Sequence, residues 1–274
     1  MKYKKQFIYI FVIFILLVTT ACNKSNEVNN TKEIRMGFNP GPYIDQFKLG
    51  IESQLIDKGY TITYSNFNDG IQPNLAVAND EIDVNIFQHT TYMESINKEE
   101  NIDLMGVIQV PTPPMGLYSN KHKNLDAKED LIVAMPSDPV NMTRALKILE
   151  TIGWISLNKE IDPLRITEQD IADNPYEIEI RPIDAAQGPR ALEDADYVAI
   201  QGNYAVSSDI ELTSALAQES MESDYVNVVT INKENESEQF VKDIIEAYQS
   251  PAFKEAILKN KDFDGYFMPD YFTE

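Results

Sequence analysis

Residues 131–149 read LIVAMPSDPVNMTRALKIL, and this stretch decides the fold class. The apolar run 131–135 stops at Pro136 and reads as a buried strand. Ser137-Asp138-Pro139 is turn chemistry. Asn141 is the expected cap of the next element, and Ala145, Leu146, Ile148 and Leu149 trace an amphipathic helix. Arg144 then falls in the first helical turn, where a cation opposes the helix macrodipole. A strand–turn–helix opening with an Arg is a good place to hold a carboxylate, because helix amides and guanidinium both donate to an anion. A solvated surface Arg would look the same in sequence, so the rest of the chain decides.

The same alternation extends to both sides. Strands are expected at 34–38, 60–67, 81–87, 105–110 and 115–118. Helices are expected at 43–57, from 72, and from 89 to 96. Strand–helix alternation predicts an α/β lobe on a mostly parallel sheet. Beyond residue 149 the pattern repeats. Trp154 and its neighbours to 157 pack under the helix, and Thr167 with Asp170 caps a short helix. Strands are expected at 176–183, 197–200 and 225–231, and helices at 189–192, 237–249 and 251–258.

The leader sets the compartment. Lys2, Lys4 and Lys5 precede an apolar run over 7–18, then Thr19, Thr20 and Ala21. That is an export signal over residues 1–21, too short for a membrane span. Cys22, the one cysteine, stands where a lipobox places its acylated residue, although Thr19 replaces the usual Leu. The polar stretch 23–33 reads as a tether with a reach of roughly 20 Å. The expected location is the outer face of the cytoplasmic membrane, held by lipid at Cys22. The chain carries a formal charge of −21, which argues against nucleic acid or an anionic surface as partner and for a monomer.

Chemistry-bearing motifs are sparse. P-loop, HExxH, GxSxG and CxxC patterns are absent, and the histidines are His89 and His122, the latter in a turn that reads as solvated. The expectation is no enzyme, no metal and no cofactor.

Many stretches in order resemble the NlpA family of lipoproteins, whose best-known members are methionine-binding proteins of ABC importers. They include Phe67-Asn68-Asp69, Gln72-Pro73-Asn74, Glu81-Ile82-Asp83, Phe87-Gln88-His89 with Tyr92, and Pro114-Met115 with Tyr118-Ser119. The series continues with Asn141 and Arg144-Ala145-Leu146, Pro189-Arg190, Gly202-Asn203-Tyr204-Ala205 and Tyr225-Val226-Asn227. The resemblance implies a two-lobed, type II-like periplasmic-binding-protein fold with a hinge and an inter-lobe cleft. It implies lobe 1 over 34–119 and 225–274, and lobe 2 over 120–224, with crossings near 118–121 and 223–225. It also implies partners: a small amino acid or short peptide, an ABC permease and its ATPase.

In the resembling family the positions of Phe87, His89 and Tyr92 line the ligand side-chain pocket, and that of Arg144 pairs the ligand carboxylate. Asn141, Gln201 and Asn203 are expected to add polar contacts. Plain core packing for Phe87 and Tyr92, a helix cap for His89, and turn chemistry for the asparagines stay open as alternatives. Three positions depart from the family pattern. Gly70 and Pro113 stand where many members have Tyr, and Gln201 stands where Asn is usual. Gly70 is expected to widen the pocket or leave an edge open, admitting a methionine-containing dipeptide or another amino acid. Arg144→Ala is expected to abolish binding and leave the fold intact. A surface adhesin and an exported enzyme are the competing classes.

Overall fold

The computed structural model describes residues 32–126, 130–158 and 166–273. The expected leader, Cys22 and most of the tether lie outside the described residues. Among the described residues twelve strands run in chain order: β1 (Lys32–Phe38), β2 (Tyr60–Asn66), β3 (Val84–His89), β4 (Leu104–Gln109), β5 (Gly116–Tyr118), β6 (Ile132–Pro136), β7 (Ser156–Leu157), β8 (Ile171–Asp173), β9 (Glu179–Ile183), β10 (Tyr197–Ile200), β11 (Ala217–Gln218) and β12 (Asn227–Asn232). The helices are α1 (Tyr43–Gly50), α2 (Glu52–Asp57), α3 (Gln72–Ala78), α4 (Thr90–Glu100), α5 (Pro139–Thr151), α6 (Gly188–Ala191), α7 (Gly202–Ser207), α8 (Gln239–Gln249) and α9 (Pro251–Lys259).

Two five-stranded sheets organise these elements. The first has the order β2-β1-β3-β12-β4, the second β11-β5-β10-β6-β9. β1 and β3 are parallel and β12 runs antiparallel to both β3 and β4, so β1, β3 and β4 share one direction and the mostly parallel sheet carries an antiparallel strand. The antiparallel member is the late strand β12, which returns from the second sheet. β5 pairs antiparallel with β10 and β11, so the chain has already left the first sheet by Gly116. The crossing therefore lies before the expected 118–121, in the proline-rich link after β4. Such long-range pairing leaves no local trace in sequence.

The expected 131–135 strand is β6, and the amphipathic helix is α5. Its apolar stripe (Met142, Ala145, Leu146, Leu149) is buried with Val133, Met135 and Trp154. Trp154 is fully enclosed, edge-on to Tyr197 at 4.8 Å. Sustained burial of this kind, at roughly 25 cal/mol per Å² of apolar surface, holds a sheet and its covering helix together.

Local departures have local causes. The single helix expected over 43–57 breaks at Ile51, where φ is −108°. There Phe253 packs so closely on Gly50 that a Cβ at Gly50 would lie 2.7 Å from its ring. β3 starts at Val84 rather than 81 because Asp83 turns back to Arg35. Its carboxylate accepts Arg35 N–H at 2.7 Å, Nε at 3.0 Å and a terminal nitrogen at 2.7 Å. The expected short helix at Thr167 is a 3-10 turn whose Asp170 carboxylate accepts the Thr167 N–H at 2.8 Å. His122 is not simply solvated: it stacks on Tyr197 at 4.9 Å, with Nε2 3.3 Å from Asp196.

Candidate functional site

The two halves meet over the carboxyl ends of β1, β3, β6 and β10, where ligands of α/β sheets bind. The cleft there encloses about 250 Å³. All seven residues singled out in sequence line it: Phe87, His89, Tyr92, Asn141, Arg144, Gln201 and Asn203. A larger groove of about 850 Å³ lies elsewhere, bordered by Asp45, Lys48, Asp209 and Lys261, and none of the seven faces it.

The first wall grows from the end of β3. Beneath it lies a buried amide cluster. Asn74 Nδ2 donates to Gln88 Oε1 at 2.8 Å, Gln88 Nε2 donates back to Asn74 Oδ1, and Asn85 Nδ2 donates to Asn74 Oδ1 at 2.9 Å. Buried amides must be paired, and this pairing fixes Gln88 and so its neighbours Phe87 and His89. His89 is the N-cap of α4: its Nδ1 accepts the Tyr92 N–H at 3.2 Å. Nε2 therefore carries the proton and donates across the cleft to Asn141 Oδ1 at 3.3 Å. Burial, reinforced by the nearby Arg144 charge, depresses the His89 pKa to about 3. The ring is neutral at any physiological pH. Phe87 and His89 both meet the Tyr92 ring edge-on, at 6.4 and 6.3 Å.

The second wall is the start of α5. The cap is Asp138 rather than Asn141: its Oδ1 accepts the Asn141 N–H at 2.9 Å. The helix begins at Pro139, so Arg144 stands in the second turn and owes little to the helix dipole. Asp138 also accepts the Asn141 side-chain amide at 3.0 Å, which aims Asn141 Oδ1 at His89 and Arg144. Asp138→Ala is expected to lower stability by about 1 kcal/mol, the usual worth of a cap, read from urea midpoints.

Arg144 is enclosed, and so is its partner. Nε donates to Glu219 Oε2 at 2.8 Å, a terminal nitrogen to Glu219 Oε1 at 2.5 Å, and the other to Asn141 Oδ1 at 2.9 Å. The two side chains are 4% and 5% exposed. Burial opposes the Arg144 charge, but Glu219 outweighs it and the pKa is raised. The pair is buried, so truncating Arg144 would strand the Glu219 carboxylate, and the expectation that Arg144→Ala leaves the fold intact gives way to an expected loss of stability. A guanidinium has five N–H donors. Three are used by protein, which leaves two for an anion in the cleft. Opposite in character, Gln201 Oε1 is a buried acceptor with no protein partner among the described residues. Asn203 Nδ2 donates to the Pro40 carbonyl at 3.2 Å and ties the halves together.

Sequence reasoning missed Glu219, which sits next to a two-residue strand, and Tyr43, Thr112 and Asn227, which also line the cleft. Asn227 directly follows Tyr225-Val226, so its place among the matched stretches was the available signal. No group of three or more His, Cys, Asp or Glu residues that could hold a metal exists among the described residues.

The model of the NlpA lipoprotein family matches residues 34–271. The D-methionine-binding lipoprotein MetQ of Escherichia coli K12 is 36% identical over 211 residues, covering 76% of this chain and 77% of that protein. The fold matches a nutrient-binding protein from Burkholderia cenocepacia bound to methionine, with a TM-score of 0.78 and 35% identity over 82% of this chain and 95% of that one. It also matches a periplasmic substrate-binding protein of an ABC transporter from Coxiella burnetii, with a TM-score of 0.79 and 33% identity over 86% of this chain and all (100%) of that one.

Proposed function

This chain belongs to the NlpA lipoprotein family, and from that premise we propose that it is a substrate-binding lipoprotein that takes up methionine or a closely related small amino acid. The observation that carries the reading is the complement of unused polar groups. Two spare N–H donors on Arg144 suit a carboxylate, and the unpartnered Gln201 Oε1 suits an ammonium group. Together they describe a zwitterionic α-amino acid. Phe87 and Tyr92 offer aromatic surface to a thioether, which is polarizable enough to gain from it.

Size supports a single amino acid over a dipeptide. Sites for drug-sized ligands enclose roughly 300–1,000 Å³, and this cleft is smaller. Contacts across the cleft, His89 to Asn141 and Asn203 to Pro40, support a closed arrangement that ligand would favour by binding both walls at once. The relatives named as methionine-binding support the ligand class, and the Coxiella burnetii neighbour supports delivery to an ABC permease and its ATPase. The lipoprotein name of the Escherichia coli relative supports acylation at Cys22, and attachment to the outer face of the cytoplasmic membrane follows from reading residues 1–21 as an export signal. Among the described residues no helix is long and apolar enough to cross a membrane. The role is capture and delivery without turnover.

Native mass spectrometry of the purified protein tests the reading. Closure slows release, so bound methionine is expected to survive purification as a defined mass addition. No addition, together with no thermal shift in free methionine, would overturn the ligand assignment.

A further inference from the structure

We infer that Gly70 is a specificity-determining position that acts through Tyr92: by lacking a Cβ it lets the Tyr92 hydroxyl seat against the backbone and close the distal end of the ligand cleft. The inference rests on the cleft being the amino-acid site proposed above. It replaces the expectation that Gly70 leaves an edge of the pocket open.

A Cβ placed on Gly70 would lie 2.2 Å from Tyr92 Oη and 3.1 Å from its Cζ. Real Cβ atoms do not approach oxygen so closely, so the two groups exclude each other. Gly70 is not in the left-handed region, which holds Gly41, Gly59, Gly153 and Gly265. Its glycine is therefore a matter of space, not of backbone freedom.

The loop cannot retreat to make room. The Asp69 carbonyl accepts Asn39 Nδ2 at 2.7 Å, and Asp69 Oδ1 accepts the Ile71 and Gln72 N–H groups, each at 2.8 Å. Tyr92 is anchored at its other end, with its N–H on His89 and its ring between Phe87 and His89. A side chain at 70 would push the phenol into the cavity both residues line. As built, Tyr92 limits the length of the ligand side chain, and selects a single methionine-sized residue over a peptide that continues past it.

The test is calorimetric binding of L-methionine and L-methionyl-L-methionine to the wild-type protein and to Gly70→Ala, Tyr92→Ala, Tyr92→Phe and the two Gly70→Ala doubles. Gly70→Ala is expected to weaken methionine binding at least tenfold. Tyr92→Ala is expected to move the methionine-to-dipeptide affinity ratio at least tenfold toward the dipeptide. In the Tyr92→Ala background Gly70→Ala should change methionine affinity less than twofold. Tyr92→Phe deletes only the clashing oxygen, so it should recover most of what Gly70→Ala loses. Equal effects of Gly70→Ala in both backgrounds, or no effect in either, would overturn the coupling. If the wild-type protein binds neither probe, the ligand proposal fails on its own. Urea midpoints of the same variants then decide the coupling: it stands if Gly70→Ala destabilises only where Tyr92 is present, and falls if the effects add.

Discussion

Arg144→Ala is expected to weaken methionine binding by about two to three orders of magnitude and, unlike a simple loss of a contact, to destabilise the protein by about 3–5 kcal/mol. Both effects come from one geometry. Glu219 accepts two N–H groups from Arg144 and is 5% exposed. Its carboxylate also accepts the Met115 N–H at 2.6 Å, which holds it in place next to β5. Truncating the arginine leaves that charge buried and uncompensated, and the cost of desolvating a lone carboxylate is what the unfolding midpoint would register. The guanidinium also stacks over the Tyr225 ring at 5.3 Å, so some packing is lost as well. The double substitution Arg144→Met with Glu219→Gln separates the two effects. It removes both charges, keeps volume, and leaves an amide oxygen for Met115. Stability should return most of the way, while binding stays lost because the carboxylate partner is gone. Calorimetry beside urea unfolding reads both. Unchanged affinity in Arg144→Ala would remove Arg144 from the site. A double variant as unstable as the single one would show that the buried ion pair was not the source of the loss.

That pair also shows what sequence could and could not disclose. β6, α5 and the Ser137-Asp138-Pro139 turn were legible because their signals are local: an apolar run, turn residues, and a 3.6-residue stripe. Arg144 was legible as an odd cation near a helix start. The wrong cap assignment moved it one turn too early, since Asp138 and Asn141 are both good caps and only the backbone geometry chooses between them. Glu219 was not legible. It lies 75 residues away beside β11, a two-residue strand too short to show any period. The early crossing into the second sheet was hidden for the same reason: β5 finds its partners in β10 and β11, not in its sequence neighbours. Phe87, His89 and Tyr92 stood out only because an ordered set of short matches resembled one family. The surroundings of Gly70 were not legible because an absent side chain says nothing of what fills its place. Tyr92 fills it, and that is a distance, not a pattern.

The neutral, buried His89 makes stability depend on pH in a window where few other groups titrate. Its folded pKa is about 3, depressed first by burial and then by the Arg144 charge, against the opposing pull of Asn141 and the Asp224 carbonyl. In the unfolded chain a histidine titrates near 6.5. Between those values the unfolded state binds the proton and the folded state does not. Stability from this residue is therefore full above about pH 6.5 and is lost as pH falls toward 3, with a limiting slope of about 1.4 kcal/mol per pH unit. From pH 7 to pH 5 the loss amounts to about 2 kcal/mol, before carboxylates begin to contribute. His89→Asn isolates it. An Asn side-chain oxygen can accept the Tyr92 N–H that His89 Nδ1 now accepts, so the start of α4 stays capped while the titrating ring is gone. His122 and every carboxylate are common to both proteins and cancel in the difference. Urea unfolding at half-unit intervals from pH 7.5 to pH 5 should give curves that diverge by about 2 kcal/mol, with the wild-type protein losing more. Parallel curves would mean that folded His89 takes up its proton in that range. That would break the Tyr92 cap, turn the ring into a cation beside Arg144, and contradict the neutral hydrogen-bond chain from His89 through Asn141 to Arg144 on which the cleft is built.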